Sequence, residues 1–204
     1  VGLLEDHDCW LISDEIYERL NFSGRKHLSP GSVASIADRT ITINGFSKAF
    51  SMTGWRIGYL VAKGPIMKTI GKLQQHMNTN IPPFIQKAAL TALSIPVDFI
   101  SEYNSQLEIN YRALSAAISS GSILSMQKSE GGLFAFVDIS GTGLNSDQFC
   151  TQLLENHSVA ATPGIVFGSS WDGHIRISLS ASKDDFNEGV NRLLSFSTGF
   201  NNVF

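Results

Sequence analysis

The chain has 204 residues, 43% of them hydrophobic, and a formal net charge of −3. This length and apolar content allow one good core or two small lobes, and they exclude a disordered or nucleic-acid-seeking polypeptide. No apolar run is long enough to span a bilayer, and the two cysteines and five histidines lack metal-ligand spacing. We therefore expect a globular protein with no nucleic acid, membrane or metal as a partner.

The first half of the chain reads as alternating strands and helices. Short β-branched or apolar runs predict a buried strand at Cys9 to Ser13 and further strands at Thr40 to Asn44 and Ile57 to Ala62. Asp14 to Leu20 predicts a turn that leads into a short helix, and Asn78 to Pro83 predicts a loop. Two helices flank this loop, and their predicted apolar faces are Ile66, Ile70, Leu73 and Met77 in the first and Phe84, Ala88, Leu90 and Leu93 in the second.

The second half predicts an α+β arrangement. Pro96 opens a long helical segment that continues to Ile118. Leu133 to Ile139 alternates like a strand, Ser146 to His157 has the pattern of a helix, and Ile175 to Leu179 reads as a strand. Ser182 is the predicted N-cap of a terminal helix.

The segment NGFSKAFSMTGWRIGY, from Asn44 to Tyr59, places a lysine and an arginine around a glycine-containing turn after a predicted strand. Strand ends are where sites form in open α/β sheets. Lys48 could form a Schiff base, because partial burial beside a cation such as Arg56 favours loss of its proton. The planar fork of Arg56 and the hydroxyl of Ser47 suit a phosphate. These residues indicate a phosphorylated cofactor with an aldehyde, although an isolated lysine and arginine are more often solvated loop charges.

Three segments resemble, in the same order and spacing, elements of the fold-type I aminotransferases of class I and II. SKAFSMTGWRIGY resembles the lysine segment that binds pyridoxal 5′-phosphate, SDEIY (13–17) the element that contacts the cofactor ring, and HIRIS (174–178) the element that binds the substrate carboxylate. The resemblance covers nearly the whole chain. It implies an α/β fold: part of a large domain with a mixed, mostly parallel sheet, followed by an α+β C-terminal small domain.

The resemblance also implies a role for each matched residue near the cofactor ring. Lys48 would form the Schiff base with pyridoxal 5′-phosphate and then move a proton as general base and acid. Asp14 would pair with the pyridine nitrogen, and Tyr17 would donate a hydrogen bond to the ring oxygen. Taken singly, Asp14 could equally be a turn residue and Tyr17 a half-buried helix residue.

Phosphate and carboxylate binding are implied in the same way. Ser47 and Arg56 would bind the cofactor phosphate, and Arg176 would hold the substrate α-carboxylate in a bidentate pair. The chain departs from several family members at Gly45, where they carry a hydroxyl residue that binds phosphate. Pro163 to Gly168 offers glycines and an aromatic residue near the expected substrate mouth.

Aligned to this family, Val1 falls in the middle of the large domain. We expect residues 1–95 to be the C-terminal part of the large domain, and residues 96–204 to be an interdomain helix with the small domain. The N-terminal half would supply a backbone phosphate site and the aromatic residue that stacks on the ring. We therefore expect the chain alone to be a folded but inactive part of an intact parent.

The resemblance implies that the parent is a cytoplasmic homodimer that moves an α-amino group between an amino acid and a 2-oxo acid. Two alternatives stay open. A carbon–sulfur lyase would share the fold and the lysine, although those relatives often have histidine in place of Tyr17. An aminotransferase-like domain of a transcriptional regulator would need a DNA-binding segment outside this sequence. The identity of the amino acid is open as well.

Overall fold

A computed structural model describes residues 2–96 and 98–200. The chain divides into two compact units between Ser101 and Glu102. This division falls inside the first turns of a helix that spans Asp98–Ser119. The domain boundary expected from the resemblance, between residues 95 and 96, stays a prediction. Among the described residues, no helix combines the length and apolar character that a membrane crossing requires.

The first unit is built on a three-stranded mixed sheet. Strand β1 (Leu11–Asp14) pairs in parallel with β2 (Thr40–Gly45), and β2 pairs antiparallel with β3 (Gly58–Val61). These three strands confirm the sequence prediction in number and order. The helices of the unit are α1 (Gly2–Asp6), α2 (Ile66–Asn78) and α3 (Pro83–Leu93).

The first predicted strand is less buried than expected. The strand predicted at Cys9 to Ser13 is present as β1, but it begins at Leu11, and the prediction that it is buried is wrong, since its residues alternate between half-buried and exposed positions. Ile12 is 64% exposed. A strand at the edge of a sheet, as β1 is in this unit, is covered on fewer sides than a central strand.

The core-facing side of α3 also differs from the prediction. The buried residues of α3 are Ala89 and Ala92, and they pack with Phe46 and Ile57 from the lysine segment. The expected apolar face of this helix is instead half-buried or exposed: Phe84, Ala88, Leu90 and Leu93. Because alanine is short, the helix can approach the segment after β2 closely.

The second unit contains a four-stranded antiparallel sheet in the order β4–β5–β7–β6. The strands are β4 (Ser125–Met126), β5 (Phe134–Asp138), β6 (Thr162–Pro163) and β7 (His174–Ser178). Its helices are α4 (Asp98–Ser119), α5 (Ser146–His157) and α6 (Lys183–Thr198). The α/β fold expected for the chain is confirmed.

The pleat of the second sheet separates a core face from a face that carries polar and aromatic residues. Ala135 and Val137 of β5 and Ile175 of β7 are almost fully buried. Arg176 lies on the other face, directly opposite Phe136 of β5. The predicted N-cap is confirmed as well, because the Ser182 hydroxyl accepts a hydrogen bond from the Asp185 backbone N–H.

Candidate functional site

The residues that the sequence predicts for the cofactor gather at one edge of the first sheet. Because β1 and β2 run parallel, Asp14 at the end of β1 and the turn after β2 lie at the same edge. β3 runs in the opposite direction, so its first residue, Gly58, pairs with the last residue of β2, Gly45. Lys48 and Arg56 lie in the segment that joins these two strands.

Lys48 is held in a turn whose flanking residues are buried. Ser47 and Lys48 are half-buried, whereas Phe46 and Ala49 are only 4% and 3% exposed. The Phe46 backbone N–H donates to the Ile57 carbonyl over 3.4 Å, which ties the start of the turn to the approach to β3. The amine therefore projects from a short segment that is anchored on both sides.

Two glycines let β2 and β3 approach each other closely beside this turn. A β-carbon added to Gly58 would lie 2.8 Å from the Asn44 carbonyl oxygen, and one added to Gly45 would lie 3.2 Å from the Gly58 Cα. A hydroxyl side chain at position 45 would require the neighbouring backbone to move. In this chain, glycine at position 45 avoids that close contact.

Arg56 adopts a left-handed backbone conformation, with a φ of 51°. Ser51, in the same segment, has a φ of 53°. Such conformations cost roughly 1–3 kcal/mol each in residues with a side chain, and they concentrate at functional sites. Nη1 of Arg56 donates to the Thr53 carbonyl over 3.1 Å, and the residue is exposed. The segment therefore presents its cation to solvent in a fixed local geometry that suits an anion.

The turn after β1 orients Asp14 but contains no helix. Oδ1 of Asp14 accepts a hydrogen bond from the Ile16 backbone N–H over 3.1 Å. Residues 16–19 form a turn, so the predicted short helix is wrong. Just after the turn, Oδ1 of Asn21 accepts a hydrogen bond from the Ser23 backbone N–H over 2.8 Å, a local contact that competes with helix formation. Tyr17 lies in this turn and is 36% exposed.

Glu15 is a buried charge that sequence reasoning did not identify. It is 4% exposed, its Oε1 accepts from the Ser29 hydroxyl over 2.7 Å, and its Oε2 lies 2.9 Å from Nε2 of His27. Burial raises the pKa of this carboxyl, but hydrogen bonds from Ser29, His27 and Ser13 and the charge of His27 outweigh it and hold the pKa below 4.5. No sequence pattern links position 15 to positions 27 and 29.

The same carboxylate belongs to a group that could be read as a metal site. One ligand atom each from Glu15, Glu18 and His27 lies within 4.8 Å of the others. Both oxygens of Glu15 already have partners within hydrogen-bond distance, namely His27 and the Ser29 hydroxyl. This geometry is that of a paired buried carboxylate, so we assign no metal to it.

Arg176, in the second unit, is surrounded by aromatic rings. Its guanidinium carbon lies 4.1 Å from the centre of the Phe134 ring and 5.0 Å from the centre of the Phe167 ring. Nη2 donates to the Thr162 hydroxyl over 3.4 Å. Nε is buried and has no hydrogen-bond partner among the described residues. A buried donor without a partner is costly, so this edge of the guanidinium suits an anionic ligand.

Comparison with known proteins decides the family. Residues 1–193 match the family model described as aminotransferase class I and II. The chain belongs to this family. It is 36% identical over 187 residues to the arginine–pyruvate transaminase AruH of Pseudomonas aeruginosa, a match that covers 92% of the chain and 47% of that protein. It is 37% identical to a probable N-acetyl-LL-diaminopimelate aminotransferase of Bacillus subtilis, covering 96% of the chain and 49% of that protein.

Solved aminotransferase structures share the fold. The crystal structure of an aromatic aminotransferase from Pyrococcus horikoshii superimposes with a TM-score of 0.91 at 31% identity, covering 97% of the chain and 53% of that structure. The aspartate aminotransferase from Rhizobium meliloti superimposes with a TM-score of 0.88 at 28% identity, covering 97% and 52%. The chain thus spans about half the length of the relatives that it matches.

Aminotransferases of class I and II depend on pyridoxal 5′-phosphate, and the residues of this chain fit that cofactor. One sheet edge carries an anchored amine at Lys48, a carboxylate of fixed orientation at Asp14 and an exposed cation at Arg56. These groups match an aldehyde, a protonatable ring nitrogen and a phosphate. In the second unit, the buried Nε of Arg176 suits a substrate carboxylate.

Proposed function

We propose that the intact protein containing this chain is an aminotransferase that moves an α-amino group between an amino acid and a 2-oxo acid. The observation that carries the proposal is the anchored turn of Lys48 at the sheet edge that also holds Asp14 and Arg56. Family membership supports the same reaction class. Among the alternatives left open by the sequence, no observation favours a carbon–sulfur lyase or a regulatory domain.

When bound, pyridoxal 5′-phosphate supplies the electron sink that makes removal of the substrate Cα proton possible. With the cofactor bound, Lys48 would take this proton as general base and return it as general acid. Asp14 would hold the proton on the ring nitrogen through a charge-assisted hydrogen bond. Tyr17 would donate a hydrogen bond to the ring oxygen. The hydrogen bond from Ile16 N–H holds the Asp14 carboxylate in place for this role.

Ser47 and Arg56 bind the cofactor phosphate through a hydroxyl donor and a cationic fork. Arg176 holds the α-carboxylate, which orients the Cα–H bond for cleavage. Because amino acids and 2-oxo acids share this carboxylate, one arginine serves both half-reactions. Because Arg176 binds only this carboxylate, it selects no substrate side chain. The relatives carry the names of an arginine–pyruvate transaminase and of aspartate, aromatic-amino-acid and probable N-acetyl-LL-diaminopimelate aminotransferases.

The proposal extends to assembly and location: a homodimer in the cytoplasm that acts in amino-acid metabolism. Large apolar side chains on the helices of the first unit support association with another protein surface. Leu73 and Met77 of α2 are 56% and 77% exposed, and Phe84 and Leu90 of α3 are both 68% exposed. Large exposed apolar side chains of this kind occur on surfaces that become covered by further protein.

The experiment that tests the reaction uses the intact protein with Lys48→Ala and, as a matched control, Lys63→Ala. Lys63 is an exposed lysine that pairs with Asp38 over 3.6 Å. We expect Lys48→Ala to abolish amino-group transfer and covalent capture of pyridoxal phosphate by borohydride, and Lys63→Ala to leave both unchanged. Retained turnover in Lys48→Ala would refute the assignment.

The same capture on the 204-residue chain measures how much of the site it contains. A single adduct at Lys48, located by mass mapping, is expected if the anchored turn suffices to orient the amine. Labelling spread over exposed lysines such as Lys63 would show that this chain alone does not orient the Lys48 amine, and that further protein is needed for its reaction with the cofactor.

A further inference from the structure

Two aromatic rings face the guanidinium of Arg176, and they come from different parts of the second unit. Phe134 is the first residue of β5, where it pairs with Ser178 at the end of β7. Phe167 ends a 3₁₀ turn that spans Gly164–Phe167. The guanidinium lies within cation–π distance of both rings, at 4.1 Å and 5.0 Å. A strand and a separate turn thus converge on one charged group.

The remaining freedom of the Arg176 side chain is small. Its Nη2 donates to Thr162, which pairs with Arg176 across β6 and β7. Its Nε is buried with no hydrogen-bond partner among the described residues. An arginine side chain is flexible in solution and loses that freedom on binding a ligand. Here the rings and the threonine restrict it before any ligand arrives.

The position of Phe167 is itself determined by neighbouring contacts. Its ring meets the Phe136 ring edge-on, with the centroids 5.9 Å apart. Phe136 in turn stacks on His174 at 5.1 Å and meets Trp171 at 5.2 Å. The turn that carries Phe167 begins at Gly164 in close contact with the chain around Trp171, since a β-carbon on Gly164 would lie 2.0 Å from the Trp171 carbonyl oxygen. Phe167 itself is 44% exposed.

We propose that Phe167 and Phe134 are positioning residues that hold the Arg176 guanidinium ready for the substrate carboxylate. This inference rests on the proposed function and assigns two further residues to its carboxylate site. Because every amino acid and 2-oxo acid in the reaction carries the same carboxylate, the two rings act on all substrates alike. A ring that contacted the substrate side chain would act on some substrates and not on others.

The test uses the intact protein with Phe167→Leu, Phe167→Tyr and the control Leu154→Ala. Leucine keeps apolar volume but removes the ring face, tyrosine keeps the ring, and Leu154 lies on α5 of the same unit and is 52% exposed. KM and kcat are measured for two amino acids of different side chain and for one 2-oxo acid. We expect Phe167→Leu to raise KM by about 3- to 30-fold for all three, with kcat changed less than about twofold. Tyrosine and the control should keep the wild-type values.

A double-mutant cycle asks whether Phe167 acts through Arg176. In an Arg176→Gln background, Phe167→Leu is expected to add no further loss, because the group it positions is gone. Additive losses, an unchanged KM, or a rise limited to one substrate side chain would each overturn the proposal. If Phe167→Leu fails to fold, as judged by its circular dichroism, Phe134→Leu takes its place with the same expectations.

Failure of the proposed function would look different. It would show as a wild-type protein that transfers no amino group, and the variants would then be compared by equilibrium binding. The probe is 2-oxoglutarate, and its binding is followed through the Nε–H resonance of Arg176. We expect its dissociation constant to be higher for Phe167→Leu than for the wild type, and unchanged for Phe167→Tyr and the control. Equal binding by the wild type and Phe167→Leu would overturn the positioning role, whatever reaction the protein performs.

Discussion

Replacing Glu15 by glutamine should weaken the segment that carries Asp14 and Tyr17. The Glu15 side chain is 2% exposed and has Ser29 and His27 at 2.7 Å and 2.9 Å. Glutamine has the same shape but lacks the charge. A net hydrogen bond to a charged group contributes about 1.5–3 kcal/mol. Since one amide oxygen can still accept from Ser29, we expect the local opening free energy to fall by about 2 kcal/mol.

Hydrogen exchange followed by mass spectrometry measures this change where it occurs. In peptides that cover residues 11–20, a loss of about 2 kcal/mol should speed exchange by about 30-fold. Glu18→Gln is the matched control. The Glu18 side chain is 29% exposed, so loss of its charge should change the exchange rate of the same peptides by less than about threefold. Exchange in Glu15→Gln that equals the wild-type rate, or an equal effect of the control, would refute the reasoning.

The lowered pKa of Glu15 adds a pH dependence with a definite sign. A carboxyl whose pKa is lower in the folded state stabilises that state above its unfolded pKa, which is near 4.5 for glutamate. This contribution is lost as the pH falls through the folded pKa. Protection of residues 11–20 should therefore decline below about pH 4.5 in the wild type, after correction for intrinsic exchange. In Glu15→Gln that step should be missing.

Two further predictions concern the second unit and the thiols. Asn110 is fully buried and donates to the Leu179 and Ala181 carbonyls over 2.9 Å and 3.0 Å. Asn110→Leu should therefore lower the free energy of unfolding, measured by urea titration, by about 2–4 kcal/mol. A loss below about 1 kcal/mol would contradict this prediction. Burial raises the pKa of the Cys150 thiol to about 11. Iodoacetamide at pH 8 should therefore alkylate the exposed Cys9 and not Cys150 in the native chain. A label on Cys150 would contradict this prediction, because it would show that the thiol is accessible.

Local signals were enough to place most elements. The helix predicted at Ser146 to His157 has those bounds in the structure, because Asn145 and Gln148 form a capping box at its start. The strand predicted at Thr40 to Asn44 extends by a single residue to Gly45. β-branched runs and capping residues act within a few positions along the chain, so one sequence suffices to recognise them.

Burial was harder to predict than the elements themselves. The apolar spacing of α3 identified a helix, yet the residues that meet the core are Ala89 and Ala92, not Phe84 or Leu90. A helix with apolar residues on more than one side offers several possible contact faces. The face that is used depends on the shape of the surface it meets, here the cluster around Phe46.

The sequence by itself determined the chemistry of the candidate site. Asp14, Lys48, Arg56 and Arg176 each stand in a short segment whose residue types and order resemble a known catalytic element. The placement of the first three follows from the strand ends of the first sheet, whereas Arg176 lies within β7.

Only the tertiary structure decided which residues support them. Glu15 meets His27 and Ser29 across 12 and 14 positions, and Phe134 reaches Arg176 from another strand. Contacts between residues so far apart leave no periodic trace in a sequence, because they arise when separate segments pack together.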